Sequence, residues 1–196
     1  MVMAVLMTVG AANAVNLISN SSFETHADDG YGREMPAGFG LYTESWNWGQ
    51  IPNVKVVTTD ALDGSASFQM ATPGSWAPVT LIYTLGQLAQ GYYHVGGFFK
   101  GTSVAGANVG VDMFASDWSA WYWGDGTSLA GINTDTWTYV GFDFHIDSGA
   151  ANNVQMNFVV RAPIGSDFKV DSVQATPEPA TLALLGLGGL LLRRRK

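Results

Sequence analysis

Residues 15–176 consist of short runs rich in Val, Phe, Tyr and Thr, separated by Gly, Asn, Asp, Ser and Thr. Runs of this kind are typical of β-strands and the separators are typical of turns, while helical periodicity is almost absent. We predict strands at Leu17–Phe23, Val54–Thr58, Ser67–Ala71, Val79–Leu85, Gly91–Lys100, Asn108–Phe114, Trp137–His145, Asn153–Val160 and Phe168–Gln174. Eight or nine short strands joined by turns favour an all-β fold, a β-sandwich and more narrowly a jelly roll.

Two of these runs also predict which residues face the core. In the run from Val154 to Val160, apolar residues alternate with Gln155 and Asn157, which places the polar pair on the opposite face. In the run from Trp137 to His145, the aromatic residues change phase around Gly141, which predicts a bulge there.

The same segment is acidic and contains no cysteine. It carries five Lys and Arg against fifteen Asp and Glu, a formal charge of about −10 with neutral His. Nucleic-acid binding depends on basic contacts to phosphates, so this balance argues against it. Without cysteine there is no disulfide and no thiolate metal site, and stability has to come from a sizeable core.

The last twenty residues have a composition of their own. Pro177, Glu178 and Pro179 form a rigid extended hinge, residues 180–192 are uncharged and apolar, and Arg193, Arg194, Arg195 and Lys196 end the chain. A helix of thirteen residues rises about 20 Å, short of the roughly 30 Å hydrocarbon core, and snorkelling arginines and a thinned bilayer close part of the difference. A C-terminal core helix is the alternative, although a helix that is apolar all round and followed by four basic residues suits a soluble core poorly.

The hinge, the short apolar helix and the basic end resemble the PEP-CTERM protein-sorting signal of exopolysaccharide-producing Gram-negative bacteria. The resemblance implies export, anchoring in the inner membrane at least transiently, recognition by an exosortase, and delivery to the cell surface or extracellular matrix. It implies nothing about the activity of the exported part.

The first fourteen residues are apolar and end in Ala12-Asn13-Ala14, which resembles the cleavage end of a secretory signal peptide and implies the Sec machinery as a partner. No basic residues precede the apolar stretch, so we expect the true start to lie upstream; a buried first strand is the alternative. The predicted organisation is a partial signal peptide at 1–14, a β-sandwich at 15–176 and a sorting and anchor segment at 177–196.

The sandwich segment carries a second resemblance at its two ends. Asn16 to Glu24 near the start and Phe168 to Val173 near the end, with Trp46 and the glycine-rich run from Gly91 to Gly101 between them, resemble the galactose-binding-like jelly roll. Within it, the carbohydrate-binding modules of families 4, 9 and 22 are the most similar. This resemblance implies carbohydrate binding and a structural Ca²⁺ that ties the first strand to the last.

The positions that match this calcium site are Glu24 and Asp171, with loop oxygens around Asp63, Gly64 and Ser65. Calcium takes six to eight oxygen ligands, and two neighbouring carboxylates repel unless a cation lies between them. The alternative makes Glu24 a solvated loop end and Asp171 a turn residue.

Tryptophans are abundant between the predicted strands. Indole rings stack on the C–H faces of sugars, and carboxylates bind the sugar hydroxyls, so a group of both kinds predicts one wall of a sugar cleft. The alternative is a hydrophobic lid over the sandwich, because tryptophan is usually well buried. The predicted ligand-binding residues are Trp46, Trp76, Trp118, Trp121, Tyr122, Trp123 and Asp125.

Signatures of catalysis are poor. His26, His94 and His145 have no zinc-ligand spacing, and no nucleophile or phosphate-binding motif is present. We therefore expect a non-catalytic exported protein that binds carbohydrate, with matrix exopolysaccharide as the expected ligand. The alternative is a structural or adhesive surface protein without a sugar site.

Overall fold

The computed structural model describes residues 14–43, 53–72, 77–147 and 154–178. Twelve strands lie in this part of the chain. They are β1 (His26–Asp28), β2 (Glu34–Pro36), β3 (Phe39–Thr43), β4 (Val54–Val57), β5 (Ser67–Ala71), β6 (Val79–Gly86), β7 (Gly91–Thr102), β8 (Asn108–Ala115), β9 (Trp121–Ser128), β10 (Thr138–Ile146), β11 (Val154–Ala162) and β12 (Asp167–Pro177).

Ten of these strands form two five-stranded sheets. Sheet I has the order β10-β7-β12-β5-β4, sheet II has the order β3-β6-β11-β8-β9, and β1 pairs with β2 in a separate hairpin. All the pairs are antiparallel. The predicted all-β sandwich is confirmed, with more strands than the eight or nine predicted.

The core lies between the two sheets and is formed by apolar residues that face inward at every second position of the strands. In β11, Met156, Phe158 and Val160 are buried in the core cluster, as their spacing predicts. Phe99 of β7 and Phe168 of β12 contribute from sheet I, with their ring centroids 6.2 Å apart. Each sheet therefore has one face in the core and one outer face.

The strand prediction was wrong at the start of the chain. Leu17–Phe23 is not a strand, although it lies along β12: the amide of Leu17 donates to Ala175 O, and the amide of Val173 donates to Ser21 O. Turns at Ser19–Ser22 interrupt the regular ladder. Phe23 has a φ of 60° and a fully buried ring, so the segment turns to bury this ring rather than to extend a sheet.

The predicted bulge at Gly141 is also wrong. The pairing of β10 with β7 is continuous from Thr138 to Ile146. Phe142 and Phe144 pack on the core side, and Tyr139 lies on the outer face instead. The change of phase in the sequence therefore reflects Trp137 and Tyr139 on the outer face and not an extra residue in the strand.

The segment from Trp121 to Ser128, which looked like a loop in sequence, is the edge strand β9 of sheet II. Its two glycines, Gly124 and Gly126, and the turn-forming Asp125 make the segment resemble a loop in sequence. The predicted C-terminal helix lies outside the described residues, and the described part of the chain contains no helix long and apolar enough to cross a membrane.

Candidate functional site

A groove of about 660 Å³ lies on the outer face of sheet II. The register explains its floor, because Tyr42 pairs with Thr80, Thr80 with Arg161, and Arg161 with Asn108. One row of outward-facing residues therefore crosses four strands. The groove is lined by Tyr42, Pro78, Thr80, Ile82, Gly106, Asp112, Phe114, Trp118, Arg161 and Pro163.

A charged pair lies in this floor. The guanidinium of Arg161 donates from Nη2 to both carboxylate oxygens of Asp112 at 2.5 Å, and from Nη1 to Asn108 Oδ1 at 2.9 Å. Asp112 is buried and Arg161 is partly exposed. A nearly buried carboxylate is stable only when it is paired, so this contact fixes both side chains in the groove.

Asn157 lies beside Asp112 on the same face of the sheet, since the two residues pair across β11 and β8. Its Oδ1 accepts hydrogen bonds from Thr84 Oγ1 at 3.0 Å and from Gln155 Nε2 at 3.3 Å. Its Nδ2 is buried, and among the described residues it has no hydrogen-bond partner. A buried donor without an acceptor costs free energy of folding, so the amide group of Asn157 is an unfavourable element of this face.

Trp118 stands at one end of the groove, in the turn between β8 and β9. Its amide donates to Ala115 O, its φ is 62°, and its ring centroid lies 4.9 Å from that of Phe114. A left-handed backbone is unfavourable for a bulky residue. The ring nevertheless remains 47% exposed, so the turn holds it against the groove without burying it.

Trp121 lies next to this turn and is 59% exposed. A Cβ added to Gly124 would come 2.3 Å from Asp112 Oδ1 and 3.3 Å from Trp121 Cζ2. The missing side chain of Gly124 is therefore what allows an indole ring and a carboxylate to meet above β9. This arrangement offers a flat apolar surface beside a polar group.

The other predicted ligand-binding residues are distributed differently. Trp123 pairs with Met113 and packs against the core, while Asp125 pairs with Val111 and so projects on the core side of the edge strand. Tyr122 is exposed at the register shift between the Trp123–Met113 and Trp121–Phe114 pairs. The structure thus places Trp118 in the lining of the groove and Trp121 near Asp112 at its edge, and it separates Trp123 and Asp125 from both. Trp46 and Trp76 lie outside the described residues.

Sequence reasoning missed Tyr42, Asp112 and Arg161. Asp112 and Arg161 are the polar residues that interrupt otherwise apolar strands, and this alternation marks outward-facing positions. The alternation therefore showed that both residues face outward, but nothing in the sequence shows that β8 and β11 are neighbours.

The predicted calcium residues lie against one turn, residues 62–66. Asp171 is fully buried, and its carboxylate accepts hydrogen bonds from the amides of Leu62 at 2.7 Å, Asp63 at 3.1 Å and Ser172 at 2.6 Å. Burial raises the pKa of this carboxyl group above its usual range, although the three amide donors oppose the shift.

Glu24 binds the other half of the same turn. Its Oε1 accepts hydrogen bonds from the amides of Ser65 at 2.9 Å and Ala66 at 2.8 Å, and its Oε2 accepts one from Ser65 Oγ at 2.7 Å. The hydroxyl and the two amides hold the pKa of Glu24 below its usual range.

These contacts do not fit a cation shared by Glu24 and Asp171. The turn presents N–H groups to both carboxylates, and an N–H group cannot be a calcium ligand. Within the described residues there is also no group of three or more acidic or histidine side chains that could hold a metal. Hydrogen bonds therefore join the first segment to the last strand here, and calcium binding stays a prediction.

The sorting hinge begins where the sandwich ends. Pro177 is the last residue of β12, and the amide of Glu178 donates to Tyr92 O. Pro179 and the basic residues Arg193, Arg194 and Arg195 lie outside the described residues.

The PEP-CTERM protein-sorting motif matches this chain at residues 175–196. The predicted sorting signal is therefore confirmed, and it indicates export and membrane-associated sorting in a Gram-negative bacterium. A comparison with curated proteins found no matching sequence.

Solved structures with the same fold include carbohydrate-binding modules. The module TmCBM61 in complex with β-1,4-galactotriose is 17% identical with a TM-score of 0.50, and the match covers 84% of this chain and 100% of that one. A family 16 carbohydrate-binding module is 17% identical with a TM-score of 0.53, and the match covers 82% of this chain and 99% of that one.

An enzyme shares the fold as well. A cyclase from Fischerella sp. TAU in complex with 4-(1H-indol-3-yl)butan-2-one is 16% identical with a TM-score of 0.56, and the match covers 85% of this chain and 98% of that one. At these identities the likeness concerns the fold alone, and binding or catalysis has to be argued from the side chains.

Proposed function

We propose that this exported protein binds carbohydrate, without catalysis, in the groove on the outer face of sheet II. The observation that carries the proposal is the position of two exposed indole rings, Trp118 and Trp121, beside the Asp112–Arg161 pair. The rings supply apolar faces for sugar C–H groups, and the fixed charges supply hydrogen-bond partners for hydroxyl groups.

The groove suits an extended glycan. It is open to solvent on the face of a sheet, and Tyr42, which is 51% exposed, lies on the far side from the indole rings. A ligand that spans the groove crosses aromatic rings at both ends and the charged pair in the middle. Rigid aromatic side chains lose little conformational entropy on binding, which favours affinity.

Two observations support a binding function over hydrolysis. Glycoside hydrolysis uses two carboxyl groups on either side of the scissile bond. Among the described residues that line the groove, Asp112 is the one carboxylate, and it is held in a salt bridge by Arg161. A carboxylate neutralised in this way is poorly suited to act as a general acid.

The sorting motif gives the proposal its cellular setting. Export with exosortase processing delivers the sandwich to the cell surface or extracellular matrix, where exopolysaccharide is the abundant glycan. We propose this polysaccharide as the ligand. The Sec machinery and anchoring in the inner membrane are parts of the same proposal.

The test is a glycan array probed with the full chain and with two variants. We expect Trp121→Ala and Trp118→Ala each to weaken glycan binding at least about tenfold, as is usual for a central aromatic contact. Tyr31→Ala is the matched control, because Tyr31 is an exposed aromatic residue (63%) in the separate β1–β2 hairpin. Wild-type binding by both Trp variants, or an array with no bound glycan, would refute the proposal.

A further inference from the structure

Three lysines form one row across the outer face of sheet I, opposite the groove. Lys55 pairs with Gln69, Gln69 with Lys169, and Lys169 with Lys100. Neighbouring strands lie about 4.8 Å apart, so the row of four residues spans about 14 Å.

This row contains every lysine of the sandwich segment. That segment has only five cationic residues, and the two arginines are each held in a short contact elsewhere, Arg33 with Asp29 and Arg161 with Asp112. A domain with a formal charge near −10 thus places all its lysines on one face. The positive charge is concentrated there although the protein as a whole is acidic.

The row lies in a shallow depression of the sheet. A cavity of about 320 Å³ contains Lys100, Lys169 and Thr134, and a second cavity of about 350 Å³ contains Asn53. Gln69 and Asp167 line both cavities, which makes the two parts continuous. Hydroxyl and amide groups and the carboxylates of Asp60 and Asp167 therefore lie among the ammonium groups.

Asp60 fixes two of the ammonium groups. Lys100 Nζ lies 3.0 Å from Asp60 Oδ1, and Lys169 Nζ lies 2.8 Å from Asp60 Oδ2. One carboxylate thus holds two cations, and Lys55 has no salt-bridge partner among the described residues. Asp167 is a second carboxylate in the depression, so the three lysines exceed the two carboxylates by one positive charge.

An aromatic ring borders the row. The ammonium group of Lys100 lies 6.0 Å from the ring centroid of Trp137. Trp137 is partly exposed and precedes the edge strand β10. Pre-positioned cations, hydrogen-bonding side chains and an aromatic face occur together here.

We propose that this row is a second binding site, specific for a polysaccharide that carries carboxylate groups, such as a uronic acid polymer. Charge complementarity to the three lysines selects the anion, and Gln69, Thr134 and Asn53 meet the hydroxyls of a sugar. The depression is open along its length, which fits a polymer laid across the strands. The site is on the opposite sheet from the groove and does not rest on the function proposed for it.

The experiment measures binding of the full chain to polygalacturonate and to neutral β-1,4-galactan. We expect polygalacturonate to bind, and we expect this binding to weaken as salt is added, because the contacts are between exposed charges. The double variant Lys100→Gln/Lys169→Gln should bind at least about tenfold more weakly. Lys55→Gln should also weaken binding, and it removes no salt bridge, so it separates binding from folding.

A second pair of variants tests whether removing a negative charge from the lysine row strengthens polygalacturonate binding. Asp60→Asn frees both ammonium groups, so it should strengthen polygalacturonate binding. Asp143→Asn is the matched control, because it changes the net charge equally at a 63% exposed side chain away from the row. If Asp60→Asn and Asp143→Asn have the same effect, or if the lysine variants bind as the wild type does, the proposal is wrong.

Two outcomes would overturn the choice of ligand. Equal binding of galactan and polygalacturonate would show that charge is not recognised. Equal or tighter binding of inorganic polyphosphate would show a general anion site. The groove variant Trp121→Ala should leave polygalacturonate binding through the lysine row intact, so failure of either site can be told from failure of the other.

Discussion

Replacing Asp171 by Ala tests how the first segment of the chain is joined to the last strand. The substitution leaves the amides of Leu62, Asp63 and Ser172 without their acceptor. Each lost hydrogen bond costs roughly 1–3 kcal/mol, with the lower value expected where water reaches the amide. Leu62 and Asp63 are exposed residues, so we expect a total of about 3 kcal/mol.

That loss lowers the melting temperature by about 10 °C, since 1 kcal/mol corresponds to roughly 2–4 °C in a domain of this size. The assay is thermal unfolding followed by circular dichroism, with calcium and with a chelator. Asp167→Ala is the matched control, because Asp167 is an exposed residue of the same strand whose contact is a 3.3 Å bond from Gln69 Nε2. We expect it to change the melting temperature by no more than about 2 °C.

Asp171→Asn sharpens the comparison. The amide oxygen of Asn can still accept from Leu62 and Asp63, so this variant should lose only the Ser172 bond, about 1 kcal/mol. It also removes a buried charge: burial raises the pKa of Asp171, so the native protein loses stability as the pH rises from 3.8 through that raised pKa. The Asn variant should lack this part of the pH dependence.

Two results would refute this account. Equal melting temperatures for Asp171→Ala and Asp167→Ala would mean that the turn is not held by the buried carboxylate. A wild-type melting temperature that rises strongly with calcium, together with an Asp171→Asn variant as unstable as the Ala variant, would mean that a cation and not the amides is the true partner.

Three further outcomes follow from the geometry. Gly64→Ala should lower the melting temperature more than Gly30→Ala, since both residues have a positive φ but only a Cβ at Gly64 would come within 2.4 Å of Glu24 Oε1; equal shifts would contradict the contact. Asp60→Asn should flatten the stability profile below pH 4, because hydrogen bonds from two lysines lower the pKa of Asp60 and the native state loses that stabilisation as the pH falls; an unchanged acid transition would speak against it. Trp118→Gly should be about 1 kcal/mol more stable than Trp118→Ala in chemical denaturation, because glycine adopts φ 62° without strain, and the reverse order would show that the turn changes conformation.

Much of the fold could be predicted from sequence because local alternation determines it. The runs at Ser67–Ala71 and Val79–Gly86 show strand composition and appear in the structure as expected. The prediction failed where composition and structure diverge: Trp121–Ser128 contains two glycines and still forms a strand, because its partner β8 supplies the hydrogen bonds. Leu17–Phe23 has strand composition, but burial of Phe23 turns it out of the sheet.

The sequence by itself determined the all-β class, the acidic balance and the sorting motif, because each of these depends on residues that are close in the chain. Only the tertiary structure decided that Trp121 meets Asp112 while Trp123 enters the core, and that three lysines far apart in sequence share one row. The physical reason is strand order. Alternation tells which face of a strand a residue occupies, whereas the neighbour across the sheet is set by long-range pairing that local sequence does not encode.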